Sequence, residues 1–63
     1  VLSAAEIRVA EAVASGLTNR QAADSLFLSA KTVDFHLQSI YRKLAIRSRA
    51  ELATLVARRG ARP

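Results

Sequence analysis

A repeated helix-start signal constrains the fold of this 63-residue chain more than any other feature. Serine or threonine is followed three residues later by glutamate or glutamine in Ser3-x-x-Glu6, Thr18-x-x-Gln21 and Ser48-x-x-Glu51. In such a capping box, side chains bond the backbone N–H groups that the first turn of a helix leaves without partners. Ser29 provides a fourth cap residue before another apolar segment. The sequence therefore predicts an all-α fold of four helices.

The helix boundaries follow from these caps and from the residues that end helices. Gly16 can adopt a left-handed backbone at little cost, so we expect the first helix to stop there. The predicted helices cover residues 4–14, 19–25, 30–44 and 49–58. Only Leu26, Phe27, Leu28 and the cap residue Ser29 separate the second helix from the third, which is the spacing of a helix-turn-helix. The short connections indicate a four-helix bundle that contains a tri-helical helix-turn-helix unit.

The third predicted helix has two distinct faces. At about 100° per residue, its larger apolar side chains fall within an arc of about 60°. This core-facing stripe consists of Val33, Leu37, Ile40 and Leu44, with His36 and Tyr41 at its margins. The opposite, outward face consists of Lys31, Asp34, Phe35, Gln38 and Arg42. An exposed phenylalanine stabilises nothing in an isolated bundle, so this face is expected to meet a partner.

DNA bases are one candidate partner for the outward face. The phenyl ring of Phe35 can contact a thymine methyl group, and the Asp34 carboxylate can accept a hydrogen bond from cytosine N4 while it repels phosphate. Asp34 would therefore narrow the range of sequences bound without adding general affinity. Other interpretations stay open: Phe35 can pack against a missing domain or a second protomer, and Gln38 can simply be solvated.

The positive charge of the chain is concentrated in its last third. The net charge is +5, but residues 1–41 sum to −1 and residues 42–63 sum to +6. Such a one-sided field suits a polyanion, although a solvated basic tail is the simpler alternative. The side chains expected to contact phosphate are Lys31, Thr32, Arg42, Lys43, Arg47 and Arg49.

Residues 16–52, GLTNRQAADSLFLSAKTVDFHLQSIYRKLAIRSRAEL, resemble the LuxR-type (GerE-like) helix-turn-helix of bacterial transcription regulators. The blocks KTVDFHL, IYRKL and RSRAEL are specific as a set, and the similarity extends from Leu2 to about Ala57. The resemblance implies a domain that usually ends a longer regulator and binds double-stranded promoter DNA as a dimer. It also implies that the third helix enters the major groove and that the fourth supplies the dimer contact.

The resemblance also assigns roles to single positions of this chain. The implied base-reading residues are Asp34, Phe35 and Gln38, and the implied phosphate-contacting residues are Lys31, Thr32, Arg42 and Lys43. The apolar stripe of the fourth helix, which is the predicted homodimer interface, consists of Leu52, Leu55 and Val56. These three side chains can alternatively complete the core of the bundle itself.

The sequence departs from the usual family pattern in its small residues. Ala45 stands where the turn after the third helix ordinarily has glycine, and a left-handed alanine would cost about 1 kcal/mol. Alanine also replaces larger aliphatic residues at Ala10, Ala12 and Ala22, which predicts a light core and modest stability. The larger apolar contacts of the first helix are expected from Ile7, Val9 and Val13.

The side-chain inventory argues against an enzyme. His36 is the only histidine, there is no cysteine, and the acids are dispersed. We therefore expect no catalysis, no metal site and no cofactor. His36 is interpreted as a packing residue at the core margin, with a phosphate contact as the minor alternative.

The remaining expectations concern location and further partners. No apolar run approaches the roughly 18 residues of a membrane span, and the absence of cysteine suits a reducing bacterial cytoplasm, near the nucleoid. The chain begins without methionine, which indicates a fragment of a longer regulator whose N-terminal sensor or receiver domain lies elsewhere. A module that docks onto RNA polymerase or such a domain is the main rival to DNA binding.

Overall fold

Four helices account for nearly all of the computed structural model, which describes residues 2–60. They are α1 (Ala4–Ala14), α2 (Asn19–Leu26), α3 (Ala30–Leu44) and α4 (Arg49–Gly60), and no strand occurs within these residues. The predicted all-α fold is confirmed. Helix α2 is one residue longer than predicted, and α4, which was predicted to end at Arg58, continues through Gly60. Arg62 and Pro63 lie outside the described residues.

The predicted capping residues begin the helices as expected. Ser3 and Thr18 each form a complete capping box with the glutamate or glutamine three residues later. The Ser29 hydroxyl oxygen accepts the Thr32 N–H at 3.1 Å and starts α3. Ser48 Oγ accepts the N–H of Glu51 at 3.2 Å at the start of α4, and only this half of the predicted Ser48–Glu51 capping box is formed among the described residues. These bonds satisfy first-turn donors that would otherwise lack partners.

A residue with a positive φ angle lies just after the end of each of the first three helices. Gly16 after α1 has φ +104°, Phe27 after α2 has φ 59°, and Ala45 after α3 has φ 55°. Ala45 thus adopts the left-handed conformation that was expected to cost about 1 kcal/mol. The turn holds it in place, because its N–H donates to Arg42 O and the next N–H, of Ile46, donates to Tyr41 O at 3.0 Å.

Helix α1 occupies the centre of the bundle and packs against each of the other three helices. The core is small and contains three alanines. Its members are Val9, Ala10, Val13, Ala22, Ala23, Val33, Leu37, Ile40 and Leu52. The prediction that Ile7 would be a main apolar contact of α1 is wrong, because its side chain is 39% exposed. Glu6, not Ile7, shares the buried stripe of α1 with Val9 and Val13.

Candidate nucleic-acid interface

The outward face of α3, defined as Lys31, Asp34, Phe35, Gln38 and Arg42, is exposed along its whole length. Val33, Leu37 and Ile40 on the opposite side are buried. The two faces predicted from the helical periodicity are therefore confirmed. Because the core holds α3 through one side only, the other side is free to contact another molecule.

Phe35 is the largest apolar group on this face, and 70% of its surface is exposed. Its ring meets the edge of the His36 ring, with the centroids 6.0 Å apart and the planes at 63°. His36 is half-buried beside the core. The His36 ring thus contacts the Phe35 ring from one side.

Within residues 2–60 no group of three or more histidine, cysteine or acidic side chains could hold a metal ion.

The N-terminal end of the outward face carries polar groups beside the cap of α3. The Thr32 and Ser29 hydroxyl oxygens lie 2.9 Å apart and share a hydrogen bond. When Ser29 donates this bond, the hydroxyl hydrogen of Thr32 can be donated to an external acceptor. Lys31 is exposed next to it. This end of the helix can therefore offer an ammonium group and a hydroxyl group to an anion.

An open groove of about 370 Å³ lies at the C-terminal end of the outward face. It is lined by Gln38, Tyr41, Arg42, Ile46 and Arg47. The structure thus brings Gln38, a predicted base-reading residue, together with two predicted phosphate-contacting arginines. Two guanidinium groups without an acidic side chain in the lining make the groove attractive to anions.

Lys43, although adjacent to Arg42 in sequence, is bound within the protein. Its Nζ lies 2.8 Å from Glu6 Oε1, and the Ser39 hydroxyl donates to Glu6 Oε2 at 2.7 Å. Glu6 itself is only 4% exposed. The hydrogen bond from Lys43, followed by those from Ser3 and Ser39, lowers the pKa of Glu6 to about 2. The sequence identified Glu6 only as part of a capping box, because no local pattern links it to α3.

Arg49 also makes contacts inside the molecule. Its Nη1 donates to the Asn19 side-chain oxygen, and its Nη2 donates to the Leu17 carbonyl at 2.7 Å. These bonds connect the start of α4 to the start of α2. The guanidinium group remains exposed, so it can still reach a phosphate with its remaining N–H groups.

The predicted dimer stripe of α4 divides into two parts. Leu52 has no exposed surface and belongs to the core, so its assignment to a dimer interface is corrected. It faces inward because α4 packs directly on α1. Leu55 and Val56 are half-buried, and Val56 packs against the core as well. Only these two residues of the stripe retain surface for a second protomer.

Phe27 is an exposed aromatic residue that the sequence analysis did not single out. It lies between α2 and α3, and 95% of its surface is exposed. The positive φ of Phe27 turns the chain between the two helices, and this conformation depends on how they pack. The helix-turn-helix spacing located the turn but did not show which of its residues would be exposed.

The family model for "Bacterial regulatory proteins, luxR family" matches residues 1–56. The chain belongs to the luxR family. Members of this family are DNA-binding transcription regulators and not enzymes, so the helix-turn-helix described above is a DNA-binding domain. The resemblance found in the sequence is confirmed. Among residues 2–60, every helix is too short to cross a membrane.

Several curated relatives are similar to this luxR-family domain. A Mycobacterium bovis protein described as an HTH-type transcriptional regulator is 42% identical over 59 residues, covering 94% of this chain and 7% of that protein. The Fimbriae Z protein of Escherichia coli K12 is 46% identical over 52 residues, covering 82% of this chain and 25% of the relative. The transcriptional regulatory protein ComA of Bacillus subtilis is 40% identical over 58 residues, covering 92% and 27%. No solved structure matches the chain.

Proposed function

We propose that this domain binds specific double-stranded promoter DNA with α3 in the major groove. The main support is the exposure of Phe35 on a helix face that also carries Asp34 and Gln38. The major groove of B-DNA admits an α-helix and presents a distinct pattern of donors, acceptors and methyl groups for each base pair. A helix whose apolar side is buried, with polar and aromatic groups exposed on the other side, fits this groove.

Three exposed side chains of α3 each have a matching base edge. The Gln38 amide can bond adenine N6 and N7 together, the Asp34 carboxylate can accept from cytosine N4, and the Phe35 ring can contact a thymine methyl group. Asp34 also repels phosphate, so it disfavours binding in a wrong register. We therefore assign sequence specificity to these three residues.

General affinity is assigned to the hydroxyl and basic groups around this face. Lys31 and Thr32 at the start of α3, Arg42 near its end and Arg47 in the next loop lie where they can contact phosphates on either side of the groove. Arg49 is proposed as an additional phosphate contact that uses N–H groups not engaged by Asn19 and Leu17. Release of counterions from the phosphates supplies most of this sequence-independent binding energy.

The domain is further proposed to act as a dimer and as part of a longer regulator in the bacterial cytoplasm. Leu55 and Val56 supply the part of the α4 stripe that a second protomer can cover. The chain spans only about a quarter of the Fimbriae Z protein and of ComA. An N-terminal sensor or receiver domain and RNA polymerase are the further partners that we propose on this basis.

Selection of bound duplexes from a random DNA pool, followed by NMR titration of the isotope-labelled domain, tests the DNA-binding mode. We expect the largest amide shifts on the outward face of α3. If those amides remain unchanged while other regions respond, the proposed mode is wrong. Salt distinguishes a protein-docking module, because log affinity should fall with log salt by about 0.9 for each phosphate neutralised on DNA. A nearly salt-independent interaction would favour protein docking.

A further inference from the structure

A part-buried polar cluster around the buried Glu6 carboxylate joins α1 to α3 at a point that the DNA-binding proposal does not use. Glu6 accepts three hydrogen bonds, from the Ser3 N–H at 2.8 Å, the Ser39 hydroxyl at 2.7 Å and the Lys43 ammonium at 2.8 Å. Ser39 and Lys43 lie one turn apart on α3, so the carboxylate holds two successive turns of that helix. We refer to these four residues as the Glu6 cluster.

The Glu6 cluster occupies a flank of α3 next to the outward face. Arg42 and Lys43 are adjacent in sequence but project about 100° apart around the helix. Arg42 lines the open groove with Gln38, whereas the Lys43 ammonium contacts the Glu6 carboxylate. The flank that carries Ser39 and Lys43 therefore lies between the outward face and the buried apolar side of α3.

Breaking the Glu6 cluster would destabilise the folded domain, because the Glu6 carboxylate is largely shielded from water. Glu6 is 4% exposed, and a buried charge that loses its partner is strongly destabilising. If Lys43 moved to a DNA phosphate, it would leave Glu6 without its cationic partner. A phosphate contact that drew the ammonium group away from Glu6 would therefore loosen α3 from α1, whereas a contact through its other N–H groups would not.

We propose that Glu6 is a positioning residue for the recognition helix and that Lys43 completes its anchor instead of binding phosphate. The carboxylate fixes the rotation of α3 against α1, which sets the direction of Gln38 and Arg42. This inference rests on the proposed DNA binding and replaces the phosphate role that the resemblance implied for Lys43. Neither residue touches the DNA in this arrangement.

Arg42→Gln and Lys43→Gln form a matched pair of variants, because each removes one positive charge at adjacent positions. Dissociation constants for a selected duplex and for a random duplex are measured across a range of salt concentrations. We expect Arg42→Gln to weaken both duplexes similarly and to reduce the salt slope by about 0.9. Lys43→Gln should leave the slope unchanged and weaken mainly the selected duplex, by about tenfold, the equivalent of one lost base contact.

The Glu6→Gln variant tests the other half of the anchor. We expect it to reproduce the loss of specific binding seen for Lys43→Gln, and the double variant should be no worse than either single one, because the two residues act as a unit. Additive losses would overturn the proposal. Tighter and more salt-dependent binding of random DNA by Glu6→Gln would also overturn it, since Glu6 would then merely mask Lys43.

Circular dichroism and thermal unfolding establish that each variant is folded at the assay temperature. If Glu6→Gln does not fold, the Lys43→Gln salt slope still decides, because glutamine at position 43 keeps an N–H donor for the Glu6 carboxylate and the slope is measured at a temperature at which that variant is folded. The positioning role would be overturned if Lys43→Gln reduced the salt slope by about 0.9 while Arg42→Gln behaved as expected. The proposed DNA binding would stand in that case. If the wild-type domain preferred no duplex, both proposals would fall.

Discussion

The outward face of α3 and the flank that carries Ser39 and Lys43 belong to one helix but differ in what their polar groups contact. Asp34, Gln38 and Arg42 are exposed on the outward face. On the flank, Ser39 and Lys43 hydrogen-bond to the buried Glu6 carboxylate. The difference shows that one basic residue of α3 can bond a buried group of the fold while its neighbour in sequence stays exposed. Position around the helix, and not charge, separates the two kinds of contact.

Replacement of a fully buried residue should give the largest loss of stability. It contrasts the core of the bundle with the exposed outward face of α3. Leu52→Ala should lower the free energy of unfolding by about 2–5 kcal/mol, because it leaves a cavity in a small core. Urea denaturation at several protein concentrations measures this loss. A loss that depends on protein concentration would instead place Leu52 in a dimer interface.

Two substitutions on the outward face compare base reading with phosphate contact. Gln38→Ala should lose about 1–3 kcal/mol on a selected duplex and little on random DNA, whereas Arg42→Ala should weaken both similarly. Fluorescence anisotropy titrations at fixed salt measure both losses. Unfolding of each variant is the control, since exposed positions should change stability by less than about 0.5 kcal/mol. Equal losses of Gln38→Ala on both duplexes would contradict its base-reading role.

Lowering the pH should destabilise the wild-type domain, because it protonates Glu6 and weakens the Glu6 cluster. The Glu6→Gln variant should lack this part of the pH response. The pKa of Glu6 is lowered from 4.5 to about 2 in the folded domain, so its stabilising contribution is complete above pH 4.5 and is lost as the pH falls toward 2. Thermal unfolding measured at pH values across this window should show a steeper decline for the wild-type domain than for Glu6→Gln. Parallel declines would mean that the cluster does not stabilise the fold.

The smallest expected effect concerns the turn after α3. Ala45 has φ 55°, a conformation that glycine adopts without steric cost. Ala45→Gly should therefore stabilise the domain by up to about 1 kcal/mol, less the extra entropy that glycine adds to the unfolded chain. A small rise in melting temperature with unchanged DNA binding is the expected result. A fall in melting temperature would show that the turn does not strain Ala45.

Most of the helical framework could be predicted from the sequence because its signals are local. The capping residues Ser3, Thr18 and Ser29 begin helices as predicted, and the two faces of α3 follow from its periodicity. The end of α2 at Leu26, the exposure of Ile7 and the burial of Leu52 were not predicted correctly. These features depend on how α1 packs between its neighbours, which no single segment encodes.

The candidate site shows the same division between local and distant contacts. Exposure of Asp34, Phe35 and Gln38 was predicted, since helical geometry alone turns them away from the apolar stripe. The partners of two predicted phosphate-contacting residues were not predicted. Lys43 bonds Glu6 across 37 residues, and Arg49 bonds Leu17 across 32. The sequence shows that these two residues are cationic, but it does not show which groups they contact.

The sequence by itself determined the number of helices, their starting residues, the outward face of α3 and membership in the luxR family. Each of these depends on residues within a few turns of one another or on a contiguous motif. Only the tertiary structure decided that Leu52 lies in the core and that Glu6 and Lys43 join α1 to α3. The reason is physical: burial and ion pairing depend on which distant helices meet, and that arrangement exists only in the packed bundle.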